Sequence, residues 1–271
     1  MNDSYPNATP ESWWRTLSVA ENRTIFFQIG PLQGWVTRSR LEWTLAHRYG
    51  IDEEEAVFTF DDPATDEPPE HVERERFPFR ETDPAIHFRP QLADLPVVVR
   101  PDDELFLPSG EEVRLFVTTP LWLVLSAGPL KRKMIDLPIR RPSETWFGPS
   151  TREGEVCYAA RSRAKLLVTE LRPAGVRAIT AVHVRNRAPS PFALNRIKVP
   201  APHLTLHVSD DGRLWTETLS IERTEDAKTV AFEIGTGPPP EVFQARPIEP
   251  PRSVGERSHL LQSIGSFLRG R

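Results

Sequence analysis

Proline occurs about once in every ten residues of this chain and restricts its fold more than any other feature. The 271 residues include 28 prolines and 14 glycines, and this proline content is roughly twice the average of soluble proteins. A proline inside an α-helix removes a backbone hydrogen bond and clashes with the preceding turn. The sequence therefore predicts that long helices are absent.

Between the prolines, apolar residues recur at every second position, which is the period of a half-buried β-strand. Residues 25–29, 113–117 and 204–208 follow this alternation, and Asp211-Gly212 indicates a hairpin turn. Many short strands separated by turns are typical of sandwiches and barrels. We therefore expect an all-β fold with two mostly antiparallel, sandwich-like or barrel-like lobes.

Composition divides the chain into three predicted parts. Residues 1–145 form an N-terminal β lobe, in which residues 61–84, rich in proline and charge, are a loop or mobile insertion. Residues 146–237 form a second β lobe, a sandwich with a basic face. Residues 238–271 comprise a proline-rich linker and a short amphipathic helix. The apolar face of that helix contains Leu260, Leu261, Ile264, Phe267 and Leu268.

The net charge of −4 conceals an uneven distribution of charged residues. Residues 51–105 carry 17 acidic and 5 basic side chains, whereas residues 131–200 carry 15 basic and 5 acidic ones. The overall balance argues against a general nucleic-acid-binding protein, which is usually basic. A local anion-binding surface is nevertheless compatible with it.

Basic residues between positions 160 and 200 recur with the period of a strand, so their side chains would share sheet faces. If their strands are neighbours, they form one cationic face for an acidic protein surface, a lipid head group or a phosphorylated ligand. The alternatives are a merely solvated face, or docking with residues 51–83 of the same chain. The residues of this predicted face are Arg161, Arg163, Lys165, Arg185, Arg187, Arg196 and Lys198.

No arrangement of residues in the sequence indicates catalysis, a cofactor or a metal. Glycine-rich phosphate loops are absent. His203 and His207 have a metal-ligand spacing only on a helix; on the strand expected here they lie about 13 Å apart. Cys157 is the single cysteine, and a buried core position is the favoured interpretation.

Two aromatic residues, Trp146 and Phe147, precede the Gly148-Pro149 turn. They are a candidate aromatic recognition patch, since aromatic side chains beside arginine are common at binding hot spots. The favoured alternative is that they fill space between the two lobes.

The segment Thr145-Trp-Phe-Gly148, followed by residues 154–159, 184–186 and 191–197, resembles an uncharacterised prokaryotic family, domain-of-unknown-function family 432. The resemblance covers roughly residues 25 to 235 and leaves the C-terminal helix outside. It implies a β-rich cytoplasmic protein, and it implies no activity, cofactor or catalytic residue.

These observations favour a non-catalytic binding protein. It would contact an acidic or anionic partner through the basic face, and a protein partner or a second copy of itself through the C-terminal helix. An anionic lipid surface is a further candidate, whereas nucleic acid is not expected. The N-terminus lacks the pattern of a secretory signal, and the longest apolar run, Leu121–Leu125, is too short to span a membrane. The alternative is an enzyme acting on a carbohydrate or small polar ligand in a cleft between the lobes.

Overall fold

The computed structural model describes residues 12–51, 58–64, 67–101, 103–148, 150, 152–171, 175–225, 229–240, 242, 244–253 and 262–263. These residues form 22 strands and two short 3₁₀ turns, Val168–Glu170 and Ala201–His203. The all-β fold class is therefore confirmed. None of the helical segments in the described ranges has the length and apolarity needed to cross a bilayer.

The first eleven strands are β1 Thr16–Ser18, β2 Arg23–Ile29, β3 Leu32–Arg38, β4 Glu42–Tyr49, β5 Phe58–Asp61, β6 Glu73–Pro78, β7 Ala85–Leu92, β8 Val97–Pro101, β9 Leu105–Leu107, β10 Glu112–Ala127 and β11 Arg132–Pro138. The remaining strands are β12 Glu144–Phe147, β13 Glu155–Ala164, β14 Arg177–Asn186, β15 Phe192–Leu194, β16 Ile197–Val199, β17 Leu206–Val208, β18 Leu214–Trp215, β19 Leu219–Arg223, β20 Thr229–Ile234, β21 Arg246–Glu249 and β22 Gln262–Ser263.

The chain divides into two compact units, and neither is a continuous stretch of sequence. The first unit contains residues 1–91, 121–141 and 174–176, and the second contains residues 92–120, 142–173 and 177–271. Strand β10 contributes to both, because its residues up to Pro120 belong to the second unit. The predicted boundaries at residues 145 and 237 are a different division, which stays a prediction.

The first unit contains an antiparallel five-stranded sheet with the order β5-β2-β3-β4-β6. Strand β2 buries alternate residues, as its apolar pattern predicts. Strand β6 lies inside residues 61–84, so the prediction of a loop throughout that segment is wrong. Pairing with β4 orders it, and Arg76 on β6 binds Glu42 on β4 through two hydrogen bonds of 3.0 Å.

Aromatic side chains form much of the first unit's core. The ring of Phe88 on β7 packs edge-on against Phe27 and Phe60, with centroids 5.2 and 5.1 Å apart. Trp13 is fully buried, and its indole N–H donates to the carbonyl of Gly175 at 2.7 Å. Large buried aromatic rings contribute much of the hydrophobic stabilisation of such a core.

The second unit contains a four-stranded sheet with the order β12-β13-β8-β16, in which β13 and β8 are parallel. Strand β14 lies in another sheet, where it pairs with β10, β18 and β19. The Asp211-Gly212 turn joins the antiparallel strands β17 and β18, as predicted. The turn at Pro108–Glu111 does not form a hairpin, because β9 pairs with β15 instead of with β10.

The two described residues of the predicted C-terminal amphipathic helix are not helical. Gln262 and Ser263, inside the predicted helix, form strand β22 and pair with β20. Pairing at the β20 edge satisfies backbone groups there that a helix would have to satisfy internally. The predicted apolar positions Leu260, Leu261, Ile264, Phe267 and Leu268 lie outside the described residues.

Candidate anion-binding site

Three arginines lie side by side on neighbouring strands of the β12-β13-β8-β16 sheet. Arg163 on β13 is in register with Arg100 on β8. On the other side of β8, Arg196 immediately precedes Ile197, which pairs with Val99. We call Arg100, Arg163 and Arg196 the arginine row.

An irregularity in β13 creates this register. Ala159 pairs with Val98, and the next paired position is Arg163 with Arg100. Between these two pairs β13 advances by four residues and β8 by only two. Bulges of this kind redirect side chains and are frequent next to functional sites. A regular β13 would instead bring Arg161 opposite Arg100.

The arginine row lines a cavity of about 220 Å³ together with Pro101, Asp103, Glu104 and Asn195. The Oδ1 atom of Asn195 is buried and has no hydrogen-bond partner among the described residues. A buried, unsatisfied polar atom costs free energy. The cavity therefore combines three arginine side chains with one unsatisfied acceptor atom, which a phosphate group satisfies only through a protonated oxygen and an ionised carboxylate does not satisfy.

Like charges lie close together in the arginine row. Like charges on directly opposite strand positions repel. Burial, and after it the charge of Arg100, lowers the pKa of Arg196. In the described part of the chain, Arg100 and Arg163 form no ion pair, although Asp103 and Glu104 line the same cavity. The cavity thus contains two arginines that have no ion-pair partner among the described residues.

A comparison with known protein families gives a match over most of the sequence. The profile of a protein family of unknown function, DUF432, matches residues 13–269, nearly the whole chain. The chain belongs to the DUF432 family. The match extends beyond the expected range of 25–235 at both ends and includes most of the C-terminal segment. Neither the curated proteins nor the solved structures contain a match to this DUF432 chain.

The segments that carried the family resemblance include two glycines with a structural role. Gly148 and Gly154 face each other in the connection between β12 and β13. A Cβ atom on Gly148 would overlap the carbonyl oxygen of Glu153, and one on Gly154 would lie 2.6 Å from the carbonyl oxygen of Phe147. Gly154 also has a φ of +153°. Only glycine permits this close approach of the two chain segments.

The predicted aromatic patch is divided between the two faces of β12. Phe147 is buried, and its ring centroid lies 5.4 Å both from the guanidinium of Arg196 and from the amine of Lys198. Trp146 is 40% exposed and lies opposite the exposed Val156. In this DUF432 chain, the buried ring of Phe147 therefore contacts two cationic side chains of the second unit, whereas Trp146 faces solvent.

The structure brings two members of the predicted basic face together, namely Arg163 and Arg196. Arg185 and Arg187 lie on or directly after β14, in the other sheet. Arg185 pairs with Glu112 at 3.0 Å, and Arg187 with Glu222 at 3.6 Å. The charges of these two arginines are therefore already compensated.

Two other members of the predicted face are partly or fully covered. Lys198 is buried, and its amine contacts Glu155 at 2.5 Å. Lys165 is half-buried and forms a backbone bridge with Phe116. Arg161 lies on β13, and its side chain is outside the described part of the structure.

Two residues considered above as catalytic or metal-binding groups are buried in the protein. Cys157 is fully buried, and burial followed by the charge of Glu155 raises its pKa to about 11. His207 is also buried, and burial lowers its pKa. The described residues contain no group of three or more histidine, cysteine or carboxylate side chains arranged to hold a metal ion.

Sequence reasoning missed Arg100, the central member of the arginine row. It follows three buried valines, Val97–Val99, inside the acidic segment of the chain. The apolar run predicts a buried strand, but no local pattern shows that β8 lies between β13 and β16. A parallel pairing such as β8 with β13 joins distant parts of the sequence.

Proposed function

We propose that this DUF432 protein is a non-catalytic binding protein that holds an anionic group of a partner on the arginine row. The observation that supports this proposal is that Arg163 on β13, Arg100 on β8 and Arg196 directly before β16 line one cavity. Arginine forms bidentate hydrogen bonds with carboxylate and phosphate groups. Such a group would offset the repulsion within the row.

The size of the cavity favours a terminal group over a whole small molecule. Its volume is about 220 Å³, whereas cavities that enclose drug-sized ligands have roughly 300–1,000 Å³. A phosphate or carboxylate group fits, and the remainder of its carrier would stay outside. This supports recognition of an acidic protein surface or a phosphorylated molecule.

Calorimetric titration of the full chain at low salt tests the proposal. The probes are inorganic phosphate and a hexaglutamate peptide, which distinguish phosphate from carboxylate recognition. We expect Arg163→Gln to weaken binding of the preferred probe about tenfold, because a charge-assisted hydrogen bond is lost. We expect the affinity to fall as salt rises.

The matched control is Arg187→Gln, which removes an exposed arginine that already pairs with Glu222 in the other sheet. This variant should bind as the wild type does. Equal affinities of the wild type and Arg163→Gln for both probes, or equal losses in both variants, would contradict the proposal.

Docking of the C-terminal segment on a protein partner is a separate part of the proposal, supported by the helical spacing of its apolar residues alone, although Gln262 and Ser263 of this segment form strand β22 on β20. Its test is a chain that ends after Ser253. This end point preserves the hydrogen bond from Arg252 to the carbonyl of Leu92 at 2.6 Å and that from the Ser253 amide to Pro202 at 2.9 Å. We expect loss of partner capture or self-association with the β units still folded; unchanged association would contradict it.

The enzyme alternative, acting on a carbohydrate or small polar ligand in a cleft between the lobes, stays a prediction. No observation on the described residues favours it over binding.

A further inference from the structure

A second cavity, of about 430 Å³, lies in the second unit beside the turn that joins β17 to β18. Its volume is within the range of small-molecule sites. One side is apolar and is formed by Phe116, Val168, Trp215, Pro239 and Val242. The other side is the polar turn, with Ser209, Asp210, Asp211 and Arg213.

The apolar side is held in place by the core of the second unit. Trp215 is only 6% exposed and belongs to a buried cluster with Leu171 and Ile179, against which Phe116 and Val168 pack. Its indole N–H donates to the hydroxyl of Ser209 at 3.2 Å, which fixes the ring. The aromatic wall is therefore formed before any ligand arrives, and its own polar atom is already satisfied.

The charges on the polar side are unequal. Asp211 accepts hydrogen bonds from the Ser209 hydroxyl and the Arg213 amide, and it pairs with the Arg213 side chain at 3.3 Å. Asp210 is exposed and has no hydrogen bond or ion pair within the described part of the chain. The cavity thus has one uncompensated negative charge beside an aromatic wall.

We infer that this cavity binds a small organic cation, namely an amine attached to an apolar, ring-sized body. The body would contact Phe116, Val168 and Trp215, where apolar surface is removed from water. The ammonium group would lie between the Asp210 carboxylate and the ring of Trp215, because both attract cations and the Phe116 ring already contacts the guanidinium of Arg114 at 5.4 Å. A carboxylate in the same position would be repelled by Asp210.

Three probes with the same ring but different charge test this inference on the full chain. They are 2-phenylethylamine, 2-phenylethanol and 3-phenylpropionate, titrated by calorimetry. We expect the amine to bind about fivefold more tightly than the alcohol, as one solvent-exposed charge pair with an aromatic contribution allows. The propionate should bind most weakly at this cavity.

Two variants separate the charge from the cavity. Asp210→Asn should reduce the affinity for the amine to that for the alcohol and leave the affinity for the alcohol unchanged. The control Glu233→Gln removes an exposed carboxylate on β20 of the same unit and should change neither affinity. Val168→Arg should obstruct the cavity and abolish binding of the amine.

The inference is overturned if the amine shows no binding, if amine and alcohol bind equally, or if Asp210→Asn or Val168→Arg leaves the affinity for the amine unchanged. The amine test does not involve the arginine row. We therefore expect Arg163→Gln to bind the amine as the wild type does. Failure here would therefore leave the proposed anion-binding function to its own test.

Discussion

Positive charge is compensated at one end of the β12-β13-β8-β16 sheet and left exposed at the other. At the first end, which we call the paired end, Lys198 is buried against the ring of Phe147 and bound to Glu155. At the other end, Arg100 and Arg163 are exposed and lie in register without an ion-pair partner in the described structure, whereas Arg196 of the same row also contacts the Phe147 ring.

The difference shows that the number of basic residues does not determine how much positive charge a partner meets. The paired end uses its charge internally, because a buried amine requires a partner. In the arginine row, no internal partner compensates Arg100 or Arg163 within the described residues, so these charges remain available for binding. The following experiments test whether the first end is structural and the second functional.

The largest effect is expected for Gly148→Ala, which disturbs the connection that holds the paired end together. The new methyl group would overlap the backbone of Glu153 and force β12 away from β13. We expect a loss of about 3 kcal/mol in the free energy of unfolding, as for other substitutions that overlap a packed backbone. Urea denaturation measures this loss.

The control for Gly148→Ala is Gly237→Ala in the same unit, where an added Cβ meets no atom within 4 Å. That variant should unfold within about 0.5 kcal/mol of the wild type. Similar losses in both variants would show that the close contact between residues 148 and 153 does not limit stability.

The second experiment removes the buried cation. Lys198→Ala should cost about 2 kcal/mol, because it deletes the contact with Phe147 and leaves Glu155 unpaired. The cost is below that of a fully buried pair, since the Glu155 side chain is 45% exposed and stays hydrated. Lys198→Met, which retains an apolar stem, should cost less. Unfolding curves identical to that of the wild type would mean that the paired end is not structural.

The pH dependence of the free energy of unfolding tests the burial of Cys157 at the paired end. Burial raises the pKa of its thiol from 9.0 to about 11, so the folded state holds the proton more tightly than the unfolded chain does. This contribution to stability is complete below pH 9 and is lost as the pH rises from about 9 to 11. The free energy of unfolding of the wild type, relative to that of Cys157→Ala, should therefore fall by about 1 kcal/mol between about pH 8 and pH 10. A pH-independent difference would contradict the burial of the thiol.

The alternation of apolar residues was sufficient to predict the fold class and several strands. Residues 25–29 form β2 with the predicted alternate burial, because a period of two matches the two faces of a strand. Long-range pairing was not predictable. Residues 105–107 pair with β15 across a large sequence separation, although a turn at residues 108–111 leads directly to β10.

The candidate site was only partly predictable for the same reason. Arg163 and Arg196 were identified by their spacing, but their proximity depends on β8 and Arg100 lying between their strands. The period of two also assumed a regular β13, whereas the strand contains a bulge before Arg163. Lys198 matched the same pattern and is nevertheless buried, because the sequence does not show which side of a strand another element covers.

The smallest effect is expected at the arginine row itself, and its sign separates the two ends of the sheet. Arg163→Gln removes one of the charges that repel Arg100, so it should stabilise the protein at low salt by about 0.5 kcal/mol. The gain should diminish at high salt, because exposed charges are screened. Arg187→Gln, which breaks the pair with Glu222, should instead be neutral or slightly destabilising. Removal of a cation with a structural role lowers the stability of the protein. If Arg163→Gln is less stable than the wild type, Arg163 therefore has a structural role, as Lys198 does at the paired end. Repulsion within the arginine row would then no longer be a reason to expect a ligand there.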